Sequence, residues 1–245
     1  MNISPLEMNE VAAAQAPARF DIYGGIHKAL RAMMTDTLLA LGRTDTNDPA
    51  EVDSACQRIV QLLNFCASHV KHENDFVHAA IEARATGASA ELAHEHDEHL
   101  ASIARLIGQT LALPHAPVSQ KARLAQVLYR ELAVFVGENF LHMEVEESAH
   151  NAVLWSRYSD LEIVGIHQAL VASIPPEEMM FTLRWLVPFM NPAERLAMFK
   201  DMQAHAPAPA FEAALAVAQP HLSCGEWTKL ARGLGLPTVP GLVQA

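Results

Sequence analysis

Four stretches of the chain place apolar residues at alternating steps of three and four, the pattern of helices that bury one stripe. The first spans about 22–41, with Asp21 as a candidate N-cap, Gly42 as a stop, and Tyr23, His27, Leu30, Met34, Leu38 and Leu41 facing inward. The second opens at Asp48-Pro49-Ala50-Glu51, with Asp as N-cap, Pro in the first position and Glu three residues after the cap. It runs to about 85 and stops at Gly87, and its stripe includes Ile59, Leu62, Leu63, Cys66, His69, Val70, Glu73, Phe76, Val77 and Ala80. The third, about 89–111, can be read with Leu92, His96, His99, Ile103 and Leu106 inward, or with Ala93, His96, Leu100, Ile103 and Ile107. Pro114 and Pro117 mark a turn, and the fourth spans about 119–156 through Leu124, Leu128, Glu131 or Leu132, Phe135, Glu138, His142, Val145, Glu146 and Ala149.

Four long helices with short connections predict an all-α, up-down-up-down four-helix bundle over 21–157. Residues 1–20, with Pro5 and Pro17, read as a loose lead-in. Residues 158–245 read as a C-terminal helical extension. Ser159-Asp160-Leu161-Glu162, Asn191-Pro192-Ala193-Glu194 and Ser223-Cys224-Gly225-Glu226 each have the form of a helix start. The apolar positions of this extension, Phe181, Leu183, Trp185, Phe189 and Phe199 among them, suit packing on the bundle, partner binding or self-association.

Composition agrees with an all-helical fold: 51% of residues are hydrophobic, 6% are aromatic, and Gly is sparse at 11 of 245. The net charge of -11 argues against nucleic acid as a partner. No apolar run is long enough to cross a bilayer, and the N-terminus has no basic segment followed by an apolar run. Three cysteines, Cys56, Cys66 and Cys224, do not make a disulfide framework, so a reducing cytoplasm is expected.

Histidine changes the picture. There are 13, and ten lie in the first 150 residues. His69 and Glu73, and again His142 and Glu146, stand four apart, a spacing that puts both side chains on one helix face a turn apart. His27 and His96 lie on the inward stripes of the other two helices. Measured from the bundle end that holds the first and third turns, His27 is 15 residues from Gly42 and His69 is 21 from Asp48. His96 is 18 from Pro114 and His142 is 23 from Ser119. At ~1.5 Å per residue, all four fall within about 12 Å of one level. Imidazoles and carboxylates meeting there would suit Fe, Mn, Zn or Co, and two carboxylates able to bridge would suit a pair of ions. Glu138 and Tyr23, one turn before His142 and His27, are candidates to orient those rings. His78, His94, His115 and His150 read as surface or packing residues, and His72 lies off the stripe. Two rivals stand beside this reading. One is a ferritin-like carboxylate site using Glu91…His94 and Glu147…His150. The other is a helical scaffold or interaction protein with adventitious metal and its function in the extension.

The order His27, His69-x3-Glu73, Glu95-His96, His142-x3-Glu146-Glu147 resembles the hemerythrin-like, or HHE cation-binding, family over about 22–156. The resemblance implies a non-haem di-iron site bridged by Glu73, Glu146 and a solvent oxygen. It further implies binding of O2, NO or peroxide, or sensing of iron or redox status in stress responses; whether such a protein turns over substrate is left open. His99 is added to the ligand set as the second histidine of the third helix, although it follows His96 by three residues rather than four. Glu147 offers an alternative spacing to Glu146.

Overall fold

The computed structural model describes residues 19–238. The expected lead-in over 1–20 lies almost wholly outside them. Among the described residues the chain is all-helical, with no strand and nine helices. The bundle consists of α1 (Gly24–Gly42), α2 (Pro49–His72, carried on through Glu73–His78 and Ala79–Arg84), α3 (Ala90–Ala112) and α4 (Val118–Val145, carried on through Glu146–His150 and Asn151–Arg157). α1 packs on α2, α2 on α3, α3 on α4, and α4 returns to α1. Their shared core holds Leu30, Met34, Ile59, Leu62, Leu63, Leu106, Leu128, Leu132 and Phe135.

The caps follow local chemistry. Asp48 accepts from the backbone N–H groups of Ala50 and Glu51. Asp21 works from further upstream than an N-cap: its Oδ1 accepts from the amides of Tyr23 and Gly24, both at 3.0 Å, and from Asn151 Nδ2 at 2.7 Å. Gly87 ends the hairpin between α2 and α3 with φ +82°, a left-handed conformation that favours glycine.

α2 and α4 each widen for one turn, over Glu73–His78 and Glu146–His150, into π-helical i→i+5 bonding. Each wide turn begins at a carboxylate and ends at a histidine. An α-helical step of five residues turns ~140° past a full circle, so on an unbroken helix His78 would face away from Glu73. The wide turn brings it back to the inner side, and both His78 and His150 are buried. The buried stripes of α2 and α4 also differ in detail from the simple periodic ones. Phe76 and Ala80 are only partly buried while His78 and Ile81 are buried, and on α4 Leu124, Glu138 and Val145 are exposed while Asn139, Met143, His150 and Leu154 are buried. On α3 the stripe through Leu92, His96, His99, Ile103 and Leu106 is the buried one, and Leu100 is exposed.

Five further helices follow: α5 (Asp160–Ser173), α6 (Pro176–Phe189), α7 (Pro192–His205), α8 (Ala208–Ala218) and α9 (Cys224–Leu234). Ser159, Asn191 and Ser223 close reciprocal capping boxes with Glu162, Glu194 and Glu226. α6 lies against α1, with Phe181 and Trp185 on the bundle core and Phe181 edge-on to Phe65 at 5.4 Å. Lys28 of α1 pairs with Glu194 at 2.6 Å, and Ser68 of α2 bonds Glu178 of α6. Leu183, Val187, Phe199, Ala214, Ala218 and Leu230 form a separate core within the extension. Arg195 is buried there, donating to the carbonyls of Val187, Pro188 and Met190 that end α6, and pairing with Glu226.

Candidate metal centre

Each bundle helix sends side chains to one buried point. α1 supplies His27, α2 His69 and Glu73, α3 His96, and α4 His142 and Glu146. His27 Nε2 lies 3.5 Å from Glu73 Oε1 and 3.4 Å from Glu146 Oε2. His69 Nε2 is 3.1 Å from Glu73 Oε1. On the opposite side, His96 Nε2 is 3.5 Å from Glu73 Oε2 and 3.7 Å from Glu146 Oε1, and His142 Nε2 is 3.3 Å from Glu146 Oε1. The donors thus divide into two groups, His27, His69, Glu73 and Glu146, and Glu73, His96, His142 and Glu146, with both carboxylates common to the two.

The residues fit a pair of ions. Both oxygens of Glu73 and of Glu146 are buried without a hydrogen-bond partner, as are His27 Nε2 and His69 Nε2. Such atoms would cost about 1–3 kcal/mol each, and more for charged groups, if nothing occupied the space between them. His96 Nε2 and His142 Nε2 stand 2.9 Å apart, within hydrogen-bond distance of one another and close enough that both could serve one ion.

Three rings are held from behind. His27 Nδ1 donates to Glu147 at 2.9 Å, His96 Nδ1 to Asn74 Oδ1 at 2.7 Å, and His142 Nδ1 to Glu95 at 2.6 Å. A hydrogen on Nδ1 leaves the Nε2 lone pair for a cation. The sequence reading assigned these tasks differently. Glu138 is exposed and Glu95 from the neighbouring helix takes its place, while Tyr23 packs on the His27 ring at 5.3 Å but directs its hydroxyl to His150 Nδ1 at 3.3 Å. Glu147, weighed as an alternative ligand, bonds the far side of His27 and pairs with Arg31 at 2.6 Å.

His99 is buried but joins neither group. Three residues beyond His96, it is rotated off the line of donors, and its ring stands edge-on to His142 at 4.9 Å and to Phe135 at 6.0 Å. His72 points out of the bundle, 3.9 Å from Glu178. His94 is exposed, which removes the helix-3 half of a ferritin-like arrangement.

The electrostatics match this layout. Burial alone would depress His27 and His142. The carboxylates Glu147 and Glu73 beside His27, and Glu146 and Glu95 beside His142, overcome it and hold each at about 9. Burial works against ionisation of Glu73 and Glu146, yet the surrounding imidazoles, His69 and His27 for one and His142 and His96 for the other, keep both below the usual carboxylate range. Burial and the neighbouring rings push His78 and His99 down to about 4.

A family model described as the hemerythrin HHE cation binding domain matches residues 20–150. The chain belongs to this family. No curated protein and no solved structure matches it significantly. Membership accounts for the all-α bundle. The chain is therefore a metal-binding helical protein in which His/Glu groups able to hold metal lie inside the bundle. Among the described residues no helix is long and apolar enough to cross a membrane.

Proposed function

We propose that the six converging donors hold two iron ions and that the protein binds O2 or a related small ligand, NO or peroxide, or reports iron or redox status through that binding. The observation behind this reading is the sharing of Glu73 and Glu146 by both donor groups. Two bridging carboxylates bring two cations close and offset their charge within a buried site. Iron, when bound, would supply reversible redox chemistry and open coordination positions. Mn or Zn would fit the same donors.

The surroundings favour a very small ligand. A cavity of about 10 Å³ adjoins His69, Glu73, His99 and His142, walled otherwise by Leu30, Met34, Cys66, Val70, Met143 and the amide of Asn139. That is the room needed for a molecule of the size of water. The largely apolar wall would exclude bulk water and larger solutes. The chain's part is to orient the Nε2 atoms through Glu147, Asn74 and Glu95 and to keep the site dry. Contact between the extension and the α2 turn that bears His69, through Glu178 with Ser68 and His72, gives a sensing role a route outward. The three unpaired thiols agree with a cytoplasmic setting.

Elemental analysis of the protein as isolated tests the metal, and anaerobic titration with O2 and NO tests the ligand. About two irons per chain, near-ultraviolet absorption of ferric iron with imidazole ligands, and a spectrum that changes with O2 or NO are expected. Metal-free protein of unchanged stability, or iron whose spectrum ignores both gases, would refute the proposal.

A further inference from the structure

The wide turns that end at His78 and His150 bring a third set of donors together. His78, His150 and Glu146 lie in a buried group whose ligand atoms are all within 4.8 Å of one another. These two histidines are not needed by either group of the pair. Both nitrogens of the His78 ring are buried without a hydrogen-bond partner, and the residue is only 5% exposed. A neutral imidazole has one N–H to give and one lone pair to fill, so both needs are unmet. The ring is fixed in place, stacked on His96 at 4.7 Å with 3° between planes and met edge-on by His150 at 5.1 Å. His150 Nδ1 meets the Tyr23 hydroxyl, which leaves Nε2 for another partner.

We propose that His78, His150 and Glu146 form an accessory site for a divalent transition-metal ion, Zn(II) or Fe(II), beside the pair. Two imidazoles and one carboxylate are a donor set that both ions accept with positions left for solvent. The carboxylate lowers the cost of placing another positive charge in a buried site. α2 and α4 each carry a wide turn here, and on α2 it brings the closing histidine, five residues after Glu73, to the inner side. The site depends on the proposed pair only through the shared Glu146.

The test is a metal count on full-length protein, stripped and then loaded with Zn(II), by native mass spectrometry. Exposed pairs such as His94–Glu98 and His205–Asp201 can bind zinc weakly, so the difference between variants is read rather than the total. His78→Phe/His150→Leu should bind one ion fewer than wild type with its helical circular dichroism intact. An unchanged count, or loss of more than one ion from a folded variant, overturns the accessory site. Should that variant fail to fold, anomalous scattering at the zinc edge from wild-type crystals decides: a peak between His78 and His150 supports the site and no peak overturns it. The pair is tested separately by His69→Ala/His142→Ala, where an unchanged count would refute the pair.

Discussion

Replacing Glu95 by glutamine should weaken metal binding at the bundle centre by about tenfold, and replacing it by alanine by up to about 100-fold. Glu95 touches no proposed ion. Its Oε2 accepts from His142 Nδ1 at 2.6 Å, fixing which nitrogen bears the proton and making the other a better donor. Its side chain is 37% exposed, so water already screens part of the pull and the glutamine effect belongs at the low end. Glutamine keeps an acceptor for Nδ1–H and loses only the charge, whereas alanine also frees the ring to turn. A tenfold loss of affinity is about 1.4 kcal/mol. With metal in excess, the loaded protein would lose the same amount of stability, or about 3–6 °C in Tm for a chain of this size. Chelator competition measures the affinity directly, and thermal unfolding with and without metal separates the loaded from the stripped protein. An affinity within threefold of wild type for both variants would refute the claim that Glu95 positions His142, as would equal Tm losses in the loaded and stripped forms.

Three other outcomes follow from the geometry. His142→Ala should lose at least one ion and cost about 3–5 kcal/mol, because Glu146 would stay buried short of a partner; elemental analysis and urea unfolding check both. The metal-free protein should be most stable near pH 6.5. His27 and His142, held at about 9, contribute stability that is complete below about 6.5 and lost as pH rises through 9. His78 and His99, held at about 4, bind fewer protons folded than unfolded, so stability falls as pH drops from about 6.5 towards 4. Each shift is worth up to about 3 kcal/mol, and urea midpoints that rise steadily from pH 5 to pH 9 would contradict this. Finally, Arg195→Met should strand the carbonyls of Val187, Pro188 and Met190 and loosen α6, α7 and α9, seen as faster hydrogen exchange there, with the metal count unchanged.

The periodic stripes place His27, His69, His96 and His142 because all four lie on regular α-helix, His69 and His142 one turn ahead of the carboxylates that open the wide turns. Their convergence, with Glu73 and Glu146, was readable from face and height alone. His78 was not, because a period of 3.6 residues carried through the π turn assigns it to the wrong side. His150, four residues after Glu146, falls near that carboxylate even on an unbroken helix, and its reading as a surface or packing residue overlooked this spacing. The signal that could have found them is the pairing of two His/Glu motifs, each followed by a histidine four or five residues beyond its carboxylate. The outer partners failed for a different reason. One-turn spacing along a helix suggested Glu138 and Tyr23, but the rings reach across the bundle, so His142 is held by α3, His96 by α2 and His27 by α4. Such cross-helix contacts depend on the rotation of neighbouring rods, which a single helix's periodicity does not contain. His99 shows the converse: it lies on the buried stripe, yet its offset from His96 turns it towards Phe135 rather than the carboxylates.

The wide turns also bear on why the centre sits where it does. A π turn gives up regular α-helical bonding, and two at one level of a bundle require a compensating interaction. Packing alone does not supply it, since Glu73 and Glu146 open these turns and bring four carboxylate oxygens inside without hydrogen bonds. Protonated His27 and His142 offset that charge in part when no metal is present. Cations would replace those protons, so loading should release protons at neutral pH and tighten as pH rises towards 9. Iron uptake in weakly buffered solution with a pH indicator measures this release. Uptake without proton release at pH 7 would mean that the metal is bound away from His27 and His142.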